Sequence, residues 1–245
     1  MKLSELKDKF SRGDNEYLQR RKQFAEEIGE PRLYERIDHF ALYAGEQTLG
    51  NKLAVYEMLK ETLSVPGHIA EFGTWKGANL MFMAKTLQLL SPNSTKMVLG
   101  FDNFSGLPSG DRKDGEHIKS LQGAYCGDEA LLRKAISMFQ YDDYVHLIVG
   151  DANQTIPQFA NDNPEVLISL AYIDFDIYEP VKTALTFLED RLAVGGIIAF
   201  DEAISAIWPG ETVAMLEFLQ ASGSRYQMVA NSISRQPVMY LRKLA

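Results

Sequence analysis

The chain has 245 residues, 46% of them hydrophobic and 24% charged, with a formal net charge of −8. That length suits one sizeable α/β domain with additions, and the acidic balance counts against nucleic acid or an anionic membrane as partner, since both call for clustered lysine and arginine. A single cysteine, Cys126, leaves no internal disulfide and no cysteine-held metal cluster, and suits a reducing cytoplasm.

Residues 1–17 are charged throughout and lack the apolar segment of a signal peptide, and no run reaches the length of a membrane span. Residues 1–30 read as polar helix with a broken apolar stripe of Leu3, Leu6, Phe10, Leu18, Phe24 and Ile28, fit for an arm, a lid or a homo-oligomer contact. Residues 32–63 carry Leu33, Ile37, Phe40, Leu53, Tyr56, Leu59 and Leu63 at helical spacing, which predicts two helices packed on the main domain. Pro66-Gly67 then breaks the chain. Residues 1–65 are therefore expected to form an N-terminal helical arm or lid, and 66–245 the main domain.

From His68 the pattern alternates. Strands are expected at 68–72, 96–101, 144–149, 167–173 and 196–200, and helices at 79–90, 129–139, 181–192 and 212–221. Strands separated by helices imply a parallel sheet with right-handed crossovers. Residues 226–230 and 238–242 are too close in sequence for a parallel crossover and must pair antiparallel. The result is a mainly parallel seven-stranded α/β sheet with an antiparallel last strand, the Rossmann-like arrangement of methyltransferases.

Glu71-Phe-Gly73-Thr74-Trp-Lys-Gly77 follows the first strand and opens into a helix. Gly73 permits a sharp turn and Gly77 a close ligand approach. The loop lacks the dinucleotide pattern GxGxxG, which counts against a nicotinamide enzyme. Glu71 at the strand end favours a cationic group such as an amino-acid ammonium, which points to S-adenosylmethionine. Asp102, ending the second strand, is placed to accept from both ribose hydroxyls. Asp151, in Gly150-Asp151-Ala152, could accept from an adenine amino group. Taken singly, Asp102 could equally be a helix cap or loop residue and Asp151 a turn former. Together they define a candidate cofactor set of Glu71, Gly73, Thr74, Gly77, Asp102, Asp151 and Ala152.

Two acidic pairs end the next apolar strands: Asp174-Phe-Asp176 and Asp201-Glu202. Carboxylates so placed are poorly solvated and repel one another, so they need a cation, a shared proton or open solvent. A divalent cation such as Mg²⁺, held by carboxylates and waters, fits best. Such an ion lowers the pKa of an acceptor hydroxyl, and a neighbouring carboxylate can take its proton. Other readings of the same residues are Asp176 capping the helix near Pro180, Glu202 in a surface salt bridge, and Asp174 as the strand-end acid of a metal-free enzyme. His39, His68, His117 and His146 show no ligand spacing; His117 is a minor candidate for base or substrate contact.

Four stretches together resemble the macrocin O-methyltransferase family: Glu71–Gly77, Phe101-Asp-Asn-Phe-Ser-Gly-Leu-Pro108, Asp174-Phe-Asp-Ile-Tyr-Glu179 and Gly195-Gly-Ile-Ile-Ala-Phe-Asp201-Glu202. The resemblance runs from about Pro66 to Trp208. It implies a class I S-adenosylmethionine-dependent fold and Mg²⁺-dependent methylation of sugar hydroxyls in antibiotic pathways. By position, Asp174, Asp201 and Glu202 would be metal ligands, and Asp176, with Asp174 beside it, would serve catalysis as general base or substrate contact. Phe175 and Glu202 depart from the family's usual Gly and Asp. The implied partner is a small glycosylated hydroxyl acceptor. A catechol-type O-methyltransferase and a non-catalytic S-adenosylmethionine-binding partner protein are the competing readings.

Overall fold

The computed structural model describes residues 11–245, so Leu3, Leu6 and Phe10 of the expected N-terminal stripe lie outside the described residues. The N-terminal region holds α1 (Ser11–Glu27), α2 (Leu33–Ile37), α3 (Phe40–Tyr43) and α4 (Glu46–Thr62). Where two helices were expected over 32–63 there are three. The short α2 and α3 bury no residue, so Leu33, Ile37 and Phe40 are not core. Ala44 is extended and ends α3, and Gly45, also extended, is the N-cap of the next helix. The buried face of α4 is Gly50, Ala54, Val55, Met58, Leu59 and Thr62, whereas Leu53 points to solvent.

Seven strands follow: β1 (His68–Phe72), β2 (Val98–Asp102), β3 (Val145–Val149), β4 (Ile168–Ile173), β5 (Leu192–Phe200), β6 (Tyr226–Ala230) and β7 (Met239–Lys243). Their order is β3-β2-β1-β4-β5-β7-β6. The first five pair in parallel, and β7 runs antiparallel to both β5 and β6. The crossover helices are α5 (Ala78–Leu90), α6 (Glu129–Met138), α7 (Ala152–Asp162) and α8 (Tyr178–Arg191), and α9 (Pro209–Ser222) precedes the final hairpin. Helix α7 was not anticipated, because Pro157 interrupts its pattern and its first turns are polar. A proline there gives up one backbone hydrogen bond, which the burial of Ile156 and the Asp151 cap offset.

Alternation along each strand splits the core between the two faces of the sheet. Ala70, Phe72, Phe101, Ile173 and Phe200 pack against α7, α8 and α9. Ile69, Leu170, Tyr172 and Ala199 pack against α4, α5 and α6. Both faces are covered, so the strands read as near-continuous apolar runs that turn polar only where they leave the core. The chain moves outward from β1 in one direction and from β4 in the other, which opens a crevice beyond their carboxyl ends. Among the described residues no helix is long and apolar enough to cross a membrane.

Candidate active site

That crevice is a cavity of about 900 Å³ built from the loops after β1 to β5, with Trp208 and Gln236 closing one side. In the first loop Gly73 has φ +97°, and a Cβ there would stand 1.9 Å from the Asp174 carbonyl oxygen, so two strand ends touch through bare backbone. Gly77 takes the left-handed conformation at the N-cap of α5, pressed against Leu132. Between them Trp75 has φ +47°, a conformation costing a bulky residue roughly 1–3 kcal/mol. Asp102 holds it there: its Oδ2 accepts from Trp75 N at 2.6 Å and its Oδ1 from Phe104 N at 2.7 Å. Asp102 thus organises the loop and still faces the cavity. Asp151 does the same for the third loop, accepting from Asn153 N at 3.0 Å as the cap of α7 while lining the cavity beside Ala152.

Glu71 and Thr74 lie deeper than expected. Neither is on the cavity wall; both are buried, and Glu71 Oε2 and Thr74 Oγ1 have no hydrogen-bond partner. Burial holds the Glu71 carboxyl well above its usual pKa, opposed by the cation of Lys52 and reinforced by Asp102. Lys52, on α4, escaped the sequence reading. It donates to Asn51 Oδ1 at 3.2 Å and to Asn79 Oδ1, and burial lowers its pKa while Glu71, Asp201 and Asp174 oppose that shift.

At the other side the structure brings Asp174, Asp176, Asp201 and Glu202 onto one wall. Asp176 has φ +65° and does not cap α8. The helix is served instead by Asp114, whose Oδ1 accepts from Tyr178 N at 2.6 Å. Among the described residues Glu202 makes no salt bridge; its Oε1 accepts from Gln236 Nε2 at 2.5 Å. A fifth acid, Glu211 in the first turn of α9, is fully buried, with Oε1 accepting from Glu202 N at 2.7 Å and Oε2 unpartnered. Read from sequence it is an ordinary helix-start acid; only the packing of α9 turns it inward.

Burial first, then mutual repulsion, raises these groups. Asp174 and Glu211 are held well above the usual carboxylate range, each pushed further by Asp201. Asp176 is pushed up to about 7 by burial, then by Glu202 and Asp201. Asp201 is raised by burial but opposed by the Tyr172 hydroxyl and by Lys52. The donor set is all hard oxygen, carries excess negative charge and includes an orphaned carboxylate oxygen, which is the chemistry of a divalent-cation or shared-proton site. Among the described residues no three such side chains already stand in a coordinating arrangement, so Asp174, Asp201 and Glu202 would have to reorient around an ion. His117 is not on the wall; its ring stands 6.1 Å from that of Trp208. His68 is structural, its Nδ1 accepting from Met97 N.

A doubly wound sheet closed by an antiparallel strand, with a glycine loop and strand-end acids around its crevice, defines the class I S-adenosylmethionine-dependent methyltransferases. The sequence profile of the macrocin-O-methyltransferase (TylF) family matches residues 42–239, and the chain belongs to that family. It is 28% identical over 146 residues to the demethyldecarbamoylnovobiocin O-methyltransferase of Streptomyces niveus, covering 57% of this chain and 53% of that one. It is 26% identical over 144 residues to an 8-demethyl-8-(2,3-dimethoxy-α-L-rhamnosyl)-tetracenomycin-C 4′-O-methyltransferase of Streptomyces olivaceus, covering 56% and 53%. The matched region thus spans about half the length of these curated relatives. The crystal structure of the calicheamicin methyltransferase CalS11 superposes with a TM-score of 0.75 at 26% identity, over 99% of this chain and 96% of that one. In its apo form, described as a TDP-rhamnose 3′-O-methyltransferase, the TM-score is 0.67 at the same identity over 99% of both chains.

Proposed function

We propose that the chain transfers a methyl group from S-adenosylmethionine to a hydroxyl of a sugar or glycosylated natural product, with a divalent cation assisting. One observation carries this: Asp174, Asp176, Asp201 and Glu202 share a cavity wall with the loop of Gly73 and with Asp102 and Asp151. Donor and acceptor can therefore meet in one enclosure.

Each residue has a part. Asp102 has one backbone donor on each oxygen and keeps a lone pair on each for the ribose hydroxyls. Asp151 and Ala152 take the adenine side, and the bare backbone of Gly73 lets the methionyl end approach. Buried Glu71 stands behind that backbone with one oxygen unpartnered, an acceptor whose charged form a bound ammonium would favour. Asp176 receives the acceptor's proton as the hydroxyl oxygen displaces the thioether sulfur from the methyl carbon; the C–O bond forms, the C–S bond breaks and S-adenosylhomocysteine leaves. With no cation bound, burial and the neighbouring acids hold Asp176 at about 7, and a cation beside it would draw that value down and favour the carboxylate form that accepts a proton. Asp174, Asp201 and Glu202 would hold a divalent cation, which would supply Lewis acidity toward the acceptor hydroxyl.

The test is transfer of labelled methyl to a panel of sugar-bearing acceptors, with Mg²⁺ and with EDTA. Transfer that EDTA abolishes and Mg²⁺ restores is expected. Transfer indifferent to EDTA would remove the cation, and transfer to catechols alone would replace the sugar.

A further inference from the structure

Asp176 stands in a strained turn. Its φ is +65°, and Ile177 N donates to Phe175 O at 2.7 Å across it, a three-residue turn that is rare because it crowds its central residue. Such a backbone persists only where its surroundings over-determine it. Upstream, Asp174 N donates to Phe72 O at 2.7 Å, and the Phe175 ring meets that of Phe72 at 6.1 Å. Downstream, the turn is held by a segment distant in sequence and off the cavity wall.

That segment is the short helical turn Arg112–Asp114, in the loop between β2 and α6. The Asp114 carboxylate is 1% exposed and both its oxygens are used: Oδ1 accepts from Tyr178 N at 2.6 Å and Oδ2 from Asp111 N at 2.5 Å. Beside it, Lys113 Nζ lies 3.7 Å from the Tyr178 ring centroid and donates to Glu217 Oε1 at 2.7 Å, while the Tyr178 hydroxyl donates to Glu217 Oε2 at 2.7 Å. Ile177 packs with Leu107, Ile118 and Trp208. Helix α9 closes over the junction at Gly210, where a Cβ would stand 1.8 Å from Asp114 Oδ1 and 2.7 Å from Tyr178 N. A polar residue at 177 would cap α8 locally. Instead apolar Ile177 stands there without a side-chain cap bond, and the acceptor comes from 64 residues away.

We propose, resting on the methyltransferase reading with Asp176 as base, that Asp114 is the positioning residue for that base. By holding Tyr178 N it keeps residue 176 at positive φ, and so keeps the Asp176 side chain on the cavity wall. The loop that carries Asp114 also lines the cavity at Leu107, Pro108 and Ser109, so the base and this part of the wall share one anchor.

The test is a double-mutant cycle on the unfolding constant of the full chain in urea without metal, with Asp114→Ala and Asp176→Gly made singly and together. Losing the clamp lets the strained turn relax, which returns part of what the clamp contributed; with glycine at 176 there is no strain to return. Asp114→Ala should therefore raise the unfolding constant by a factor at least fivefold larger in the Asp176→Gly background than in the wild type. A clamp that served α8 alone would give equal factors in both, and that would overturn the proposal. The crystal structure of Asp114→Ala should show residue 176 at negative φ; a φ still near +65° would overturn it as well. Asp114→Ala should bind S-adenosylhomocysteine within twofold of wild type, and loss of that binding would reduce Asp114 to general support of the fold. In the labelled-methyl assay kcat should fall at least tenfold with the KM for S-adenosylmethionine within twofold; an unchanged kcat would count against positioning. If Asp114→Ala does not accumulate, Lys113→Ala, which loosens only the grip on the Tyr178 ring, carries the same cycle with an expected difference of at least twofold. Failure of the wild type to bind S-adenosylhomocysteine would be a failure of the methyltransferase reading, and the cycle judges the clamp separately from it.

Discussion

The Tyr172 hydroxyl donates to Asp201 Oδ1 and accepts from Asn51 Nδ2 at 2.9 Å, so a residue of α4 reaches the acid at the end of β5 through one buried phenol. Asn51 also donates to the Gln236 carbonyl at 2.9 Å, and Gln236 in turn donates to Glu202. Both acids after β5 are therefore oriented from the same helix. Tyr172→Phe removes the donor to Asp201 and keeps the ring. The expected stability loss is about 1–2 kcal/mol by urea denaturation. Mg²⁺ binding should weaken severalfold by calorimetry, with S-adenosylhomocysteine affinity changed less than twofold. Unaltered Mg²⁺ affinity would show that this phenol does not orient a ligand.

Gly73→Ala is expected to be severe. Its Cβ would collide with the Asp174 carbonyl, and neither strand end can retreat without breaking the Asp174 N to Phe72 O bond of 2.7 Å. With the added strain at φ +97°, a loss of about 3 kcal/mol or more is expected, or failure to accumulate folded protein. Near wild-type melting would mean the two strand ends are looser than they stand here.

Proton linkage gives the metal-free protein an unusual slope. Asp176 lies at about 7 when folded against 3.8 when free, so between those values the folded state holds the extra proton. Its contribution is full below about pH 4 and is lost as pH rises through about 7. Asp174, Glu71 and Glu211 shift the same way. His68 and Lys96 have the opposite sign: His68, lowered by burial, below its usual 6.5, and Lys96, lowered by burial to about 8, as pH nears 8 and above. The melting temperature without metal should therefore fall from pH 6.5 to 8, by roughly 2–4 °C for each kcal/mol lost. Mg²⁺ should raise it more at pH 8 than at 6.5. A melting temperature that rises over this window would contradict the burial of these acids.

Glu211 separates charge from hydrogen bonding. Glu211→Gln keeps an acceptor for Glu202 N and removes a buried acid; the metal-free melting temperature should hold or rise at pH 8. Glu211→Ala strands that N–H and opens a cavity, at a cost of about 2–3 kcal/mol. Equal destabilisation by both would mean the carboxylate itself is required there.

The strands and the acids at their ends were legible because a buried parallel strand is an apolar run, and its first polar residue marks where it emerges. Asp102, Asp151, Asp174, Asp176, Asp201 and Glu202 all announced themselves that way. Lys52 and Glu211 did not, since a charged residue on a helix ordinarily faces water and only tertiary packing turns these two inward. Asp114 was hidden similarly: its partner, Tyr178 N, is 64 residues away, and no local pattern signals a cap supplied from a distant loop. The split of 32–63 into three helices was missed because helical spacing of Leu33, Ile37 and Phe40 says nothing about whether a core is there to receive them. Glu71 was placed correctly at a strand end but on the wrong side of the backbone, behind the cavity wall instead of on it.

The central claim is tested most directly by calorimetric binding of S-adenosylhomocysteine with and without Mg²⁺, followed by Mg²⁺ titration of the complex in the wild type and in Asp201→Asn. Binding of both by the wild type, with Asp201→Asn keeping the nucleoside and losing the ion, is the expected result. Nucleoside binding with no metal uptake would reassign the carboxylates to proton transfer alone, and absence of nucleoside binding would contradict the methyltransferase reading itself.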